Sequence, residues 1–426
     1  MSKLPFTLVL LSVEIVCLPP AAALGQPTPD YSGDLWTRPV MTGDWGGTRN
    51  EWANKGFTVD LTLVQVGQGV LSGGLNKEWE YAGRYDIVLN LDTGKMGLWQ
   101  GGFFRVEGEG LFGTFINASD TGALIPVDAN ALFPFPGKDQ IMLPGVQYTQ
   151  FLSEKFGLFI GKLATITDTS GDMNDFAHGK GAYQFLNLAF NFNPVMAVTV
   201  PYSTLGGGLI FLPLGNQDVI ASLSAVDPSG AANTSGLGDA FSDGVTVAGE
   251  LRVKTNFFDR TGHQLIGGAY SSKDYTSLDQ PPRNLIIPGL PIGTHAGSWG
   301  IYYNFDQYIY QPDPKSDQGW GVFGRLGTSD GDANPVDWFA SIGVGGKGLI
   351  PGRKNDRFGI GYYYIWIANQ ELPNRLNFED SQGFEAFYEI AITPWILFTP
   401  DIQIIDASQE SVDTSVVLGA RLTMKF

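Results

Sequence analysis

The 426 residues contain a single cysteine, Cys17. It lies inside a segment that reads as a cleaved leader and follows Val16 rather than a small residue, so a lipid-modified N-terminal cysteine is not expected. The mature chain then has no cysteine for a disulfide framework, a thiolate zinc site or a thiol nucleophile. Histidine is nearly as scarce, with His178, His263 and His295 scattered along the chain. No serine sits in a nucleophile elbow. Charged residues make up 16%, against about 25% in ordinary soluble domains. Positive charge is the scarcer sign, 26 basic residues against 43 acidic, a net charge of -17. That balance excludes nucleic acid, whose binding rewards basic patches that displace counterions. Beyond the leader no apolar run approaches the roughly 20 residues of a membrane helix.

What is present is glycine, 56 residues, together with 13% aromatics and 43% hydrophobic residues. The glycines have no three-residue period and the apolar fraction is too high for disorder, so collagen-like and disordered readings fail. Residues 1–25 read as a secretory signal peptide: Lys3, an apolar run from Leu4 to Leu18 interrupted by Glu14, then Ala21 to Ala23, with cleavage after Ala23 or Gly25. Residues 26–56 form an N-terminal segment in which Asp44 is expected to cap a short helix from Trp45 to Lys55, stopped by Gly56. The remainder, 57–426, alternates with period two. Phe57, Val59, Leu61 and Leu63 stand against Thr58, Asp60 and Thr62. Tyr85, Ile87, Leu89 and Leu91 stand against Arg84, Asp86, Asn90 and Asp92.

A half-solvated soluble sheet and a transmembrane barrel both alternate in this way. Three features favour the barrel. The apolar parity carries aromatics near segment ends (Trp299, Tyr303, Trp338, Tyr362, Trp366, Tyr388), as an interfacial girdle requires. The segments are long enough for a tilted strand to cross a bilayer. The chain closes on Phe426 with Leu418, Ala420, Leu422 and Met424 on the same parity, which looks like an outer-membrane assembly signal. Sixteen strands are expected, starting near residues 57, 81, 101, 144, 155, 200, 217, 244, 261, 297, 318, 336, 356, 382, 396 and 415. Long connections near 67–80, 114–143, 165–199, 226–243 and 272–295 would be extracellular. The fold class is therefore all-β, a transmembrane antiparallel β-barrel of about sixteen strands with a short N-terminal helix.

The run Gly43-Asp44-Trp45-Gly46-Gly47-Thr48-Arg49 followed by Lys55-Gly56-Phe57 resembles the opening of the carbohydrate-selective porins of the OprB type. Similar stretches follow in order: Asp92 to Trp99, Gly161-Lys162-Leu163, Gly359 to Tyr364, and Glu389 through Pro394-Trp395 to Gln403. The resemblance implies a sixteen-stranded outer-membrane barrel that passes monosaccharides and other small sugars by diffusion. Its partners would be small sugars, outer-membrane lipid and the barrel assembly machinery, in a monomer or a homotrimer. From the residues themselves, no cofactor, no metal and no catalysis are expected.

If the apolar parity faces lipid, the other parity lines the lumen. That set comprises Arg84, Asp86, Asn90 and Asp92, then Arg105, Glu107 and Glu109, then Glu250, Arg252 and Lys254, with Arg325, Glu385 and Glu389. Lys162 joins it less simply, because apolar residues occupy both parities around it. Guanidinium donors opposite carboxylate acceptors can grip adjacent sugar hydroxyls while their charges partly cancel. Arg84 and Arg105 are expected to approach Glu107 and Glu109. The connection 165–199, with Asp168, Asp172, Asp175, Phe176, His178, Lys180, Phe185 and Asn187, is the candidate constriction loop. Its acids match no complete calcium motif and read as solvated, and Asp330, Asp332 and Asn334 read as a turn. The alternative readings are a general diffusion porin and, less favoured because carboxylate pairs such as Glu385 and Glu389 share one strand face, a secreted glycoside hydrolase or carbohydrate-binding protein.

Overall fold

A computed structural model describes residues 28–131, 140–167 and 174–426. The leader with Cys17, and the loop acids Asp168 and Asp172, lie outside the described residues. A helix α1 (Thr48–Asn54) precedes sixteen strands: β1 (Phe57–Ser72), β2 (Trp79–Asp92), β3 (Gly102–Gly113), β4 (Gln140–Ser153), β5 (Phe156–Ala164), β6 (Ser203–Phe211), β7 (Val219–Val226), β8 (Thr246–Phe257), β9 (Arg260–Thr276), β10 (Thr294–Tyr310), β11 (Gly319–Ser329), β12 (Val336–Lys347), β13 (Arg357–Ile367), β14 (Ser381–Thr393), β15 (Ile396–Asp406) and β16 (Ser415–Lys425). Each pairs with its sequence neighbours, and β1 pairs antiparallel with β16 to close the barrel. Closure leaves no strand edge without backbone partners, a condition that a hydrocarbon surrounding imposes.

The parity of the strands decides what faces lipid. Ile87, Ile160, Ile301, Leu326, Ile342, Ile360 and Ile402 are exposed on the outside; Trp338 and Trp366 stand near strand ends on the same face, whereas Tyr362, expected near an end, sits at the middle of β13. The guanidiniums of Arg84, Arg252, Arg325 and Arg421 point inward and are fully buried. A slip of one residue would exchange these sets and cost about 2–4 kcal/mol per arginine near the bilayer centre. Among the described residues no helix is long and apolar enough to cross a membrane; the strands do the crossing.

Two local expectations change. Asp44 does not cap α1: its carboxylate accepts from Gly46 N–H in a turn, while the residue before the helix is Gly47 in the left-handed region (φ 94°) with no side-chain cap. Two consecutive glycines let the chain turn sharply there, so the helix starts later. Gly56 (φ 87°) does end it. The connection after β1 is short, 73–78, because the strand continues through Gln68 and Val70 to Ser72 and β2 pairs with it from Trp79 onward. The longest connections, 114–139, 165–202 and 227–245, leave the opposite end from both termini, while turns such as 154–155, 258–259 and 394–395 lie at the terminus-bearing end. That short-turn end is the periplasmic end.

Candidate functional site

The barrel is not an empty tube. The described stretches 114–131 and 174–202 of two long connections fold inward, and the second supplies most of the apolar side chains that fill the lumen: Phe176, Phe185, Leu188, Phe190 and Val195 are buried there. Glycines at lumen parity make the room. A Cβ on Gly345 would stand 2.6 Å from that of Phe176, and one on Gly359 would stand 2.7 Å from the Phe185 ring; one on Gly361 would overlap Phe190. Phe185 packs edge-on against Phe323 and Phe387, with centroids 5.3 and 4.9 Å apart. Aromatic bodies on the loop thus key into a groove on β11–β14.

Wall polar groups satisfy the backbone of the same loop, as burial demands. Arg325 donates to the carbonyls of Ala177 (2.8 Å) and Phe190. Arg421 donates to Gly181 and Gln184 oxygens at 2.9 Å each. Thr423 donates to Ala182 O at 2.7 Å. Glu385 accepts the N–H groups of Leu186 and Asn187, both at 2.7 Å. Arg325 and Glu385 therefore sit beneath the loop and anchor it, and open lumen does not reach them.

At the loop tip the sign of the charge reverses. Lys180, the only lysine or arginine between 165 and 199, crosses to β2 and β3. Its ammonium pairs with Asp86 at 2.8 Å, Glu107 at 3.1 Å and Glu109. Tyr202 donates to Glu109 at 2.6 Å and accepts from Lys180 at 2.9 Å. Arg84 pairs with Asp86 at 2.8 Å and donates to Lys180 O at 2.5 Å, while Arg105 pairs with Glu107 at 3.1 Å. Arg105 and Glu107 thus come together as expected, whereas Arg84 turns to Asp86 and the loop, and Glu109 is held by Lys180 and Tyr202. Lysine, three carboxylates and two guanidiniums balance, three charges of each sign. Within the set only Arg105 keeps substantial contact with water, its side chain 23% exposed.

The other named residues are placed as follows. Glu250 and Arg252 pair at 3.0 Å, with Tyr302 donating to Glu250. Glu389 binds Arg357 at 3.0 Å and stands 3.8 Å from Arg421. Lys162 belongs elsewhere: it shares the strand face of the exposed Ile160 and is the register partner of Val146, also exposed outside. There it donates to the carbonyls of Ala232 (3.1 Å) and Thr234, tying down the connection 227–245. Asp330 accepts from the backbone of Asp332 and Ala333 within its turn.

Among the described residues, two groups of side chains are close enough to hold a cation. Asp86, Glu107 and Glu109 surround Lys180, and Asp175, His263 and Asp306 form the other. In the second, His263 Nδ1 lies 2.9 Å from Asp306, and Asp306 also accepts the Asp175 N–H at 2.7 Å. Asp175, on the loop rather than a strand, is open to lumen water yet surrounded by protein. That burial, then the nearby charge of Asp306, pushes its pKa up to about 7. The participants not expected as pore residues are Arg421, Tyr202 and Asp306, while Lys180 belongs to the loop expected to form the constriction. Lys180 had a visible signal, a lone cation between Gly179 and Gly181 in an acidic, aromatic loop. Arg421 had only its parity.

A closed antiparallel barrel of even strand number, apolar outside, charged inside and narrowed by an inward-folded loop, is a porin of the bacterial outer membrane. The model of the carbohydrate-selective porin, OprB family, matches residues 76–426, and the chain belongs to that family. Porin B of Pseudomonas aeruginosa is 22% identical, with 96% of this chain and 97% of that protein covered. The high pH structure of Pseudomonas putida OprB matches with a TM-score of 0.79 at 19% identity, covering 93% of this chain and 100% of that one. The low pH structure of the same protein matches with a TM-score of 0.59 at 16% identity, covering 92% and 99%. These structural likenesses speak for the fold; the family match makes the chain an outer-membrane sugar porin.

Proposed function

We propose that the chain passes monosaccharides and other small neutral sugars by diffusion, and that the gap between the loop tip and the β2–β3 wall is the selective step, with Arg105 as the water-facing hydroxyl donor. The observation that carries this reading is the charge-balanced cluster around Lys180, which pins the loop tip across the lumen. A fixed loop gives a defined aperture. Equal numbers of both charges give donors and acceptors for hydroxyls without strongly trapping an ion. The leader over 1–25 and the terminal Phe426 fit export and assembly into the outer membrane, and the absence of a nucleophile pattern fits a channel rather than an enzyme.

The test is liposome swelling with a panel of sugars and amino acids, on the parent and on Lys180→Met. In the parent, monosaccharides should enter faster than amino acids of similar mass, and ion selectivity should be weak. Lys180→Met leaves three carboxylates without their shared cation, a loss of about 3–5 kcal/mol for a buried pair. The loop tip should loosen, with larger conductance, stronger cation selectivity and poorer sugar discrimination. Equal entry of sugars and amino acids in the parent would overturn the reading.

A further inference from the structure

Beneath the loop, on its periplasmic side, lies a cavity of about 170 Å³ with walls from both the loop and the barrel. Asp175, Phe176 and Gln184 come from the loop; Tyr308, Asp317, Lys347 and Arg357 come from strand ends and turns at the terminus-bearing end. It is separate from the Lys180 cluster, which binds β2 and β3. The volume is well below the ~300–1,000 Å³ of pockets for drug-sized ligands. One monosaccharide ring suits it better than a disaccharide.

Its chemistry is that of a hydroxyl-binding site. Lys347 pairs with Asp317, and Arg357 with Glu389 at 3.0 Å, yet the two cationic side chains keep 19% and 29% exposure. An ammonium has three donors and a guanidinium five, so one carboxylate partner leaves each with hydrogens to offer. On the acceptor side, the Asp175 carboxylate takes no hydrogen bond from the described residues, and Asp317 is largely exposed, 61% for its side chain. Phe176 and Tyr308, packed edge to face with centroids 4.7 Å apart, supply an apolar margin. Two cations and two carboxylates line the space, which favours a neutral polyol over an ion.

We infer that this cavity is a second sugar position, a periplasm-facing stop for one neutral monosaccharide, with Arg357 and Lys347 as hydroxyl donors and Asp175 and Asp317 as acceptors. The inference rests on the reading that the pore passes neutral sugars. Two weak positions, one at the β2–β3 wall and one against β10–β13, let a solute enter favourably and still leave.

Single channels in planar bilayers test it, with D-glucose added from the periplasmic side and the current interruptions counted. Lys347→Gln and Asp175→Asn should each raise the glucose concentration for half-maximal interruption by about tenfold, the equivalent of one charge-assisted hydrogen bond. Arg105→Gln should change glucose entry into liposomes and leave this component in place. Asp175→Asn keeps the shape of the loop, so an effect there does not depend on refolding around Lys347. Unchanged interruption in both variants, with glucose still entering liposomes through the parent, overturns the second position alone. Exclusion of glucose by the parent overturns both readings.

Discussion

Asp175 is the residue whose charge changes nearest to neutrality. Its carboxyl, pushed up to about 7, is mostly protonated at pH 6 and mostly ionised at pH 8. An ordinary aspartate near 3.9 would be ionised at both. The sign follows directly: raising the pH adds negative charge beneath the loop, so the pore should become more cation-selective. His263 and Asp306 adjoin it, and loss of an imidazole proton would act in the same direction. Reversal potentials under a salt gradient at pH 6 and pH 8 check this. The parent should shift toward cations, and Asp175→Asn should shift distinctly less. The wall arginines teach a different lesson at this scale. Arg84 and Arg325 have the parity of sugar ligands, yet they are fully buried and donate to loop carbonyls. Parity tells which side of the wall a side chain is on; it does not tell what another segment has placed against it.

At the scale of the element, the loop stretch 174–202 is held by shape as well as by charge. Its aromatics occupy space that only glycine leaves open on β11–β13. Gly361 is the sharpest position, since a β-branched side chain there would meet the Phe190 ring and could not move away into the wall. Gly361→Val should leave the barrel closed, because valine suits a strand, but displace the loop at a cost of about 1–3 kcal/mol from overpacking. Single-channel conductance should rise while the β-sheet spectrum stays the same; unchanged conductance would count against the groove as the anchor. The regular glycine spacing at Gly359 and Gly361 was readable in the sequence, but only as strand glycine. Its partner, an aromatic more than 160 residues earlier in the chain, is a tertiary fact.

For the whole molecule, the decisive step is closure of β1 onto β16, and the N-terminal segment takes part in it. Arg49 is buried between Tyr31 (3.9 Å to the ring centre) and Trp45 (5.0 Å). It donates to Val59 O (2.5 Å) on β1, pairs with Asp60 at 3.1 Å and donates to Phe426 O at 3.0 Å. One guanidinium thus spans the seam between the first and last strands. Arg49→Ala should lower the temperature at which the folded, fast-migrating band converts on gels, with loss of a few charge-assisted bonds of about 1.5–3 kcal/mol each. Sugar entry at ambient temperature should be near that of the parent. An unchanged conversion temperature would show that the seam is closed by strand pairing alone.

The sequence by itself determined the barrel. Period-two alternation needs only neighbours along one strand, and every strand pairs with the next in sequence, so local pattern and global topology coincide. Strand starts read from it, such as 57, 336, 396 and 415, are the starts observed. It also determined the inside and outside of the wall, because a one-residue error would put several charges into lipid. Only the tertiary structure decided what the inward charges do. The loop 165–202 has no alternation to fix its path, and its contacts join residues far apart in the chain: Lys180 with Glu107 and Glu109, Leu186 with Glu385, Gln184 with Arg421. Those pairings follow from mutual satisfaction of buried backbone and charge inside a closed wall, a condition that exists only once the barrel has formed.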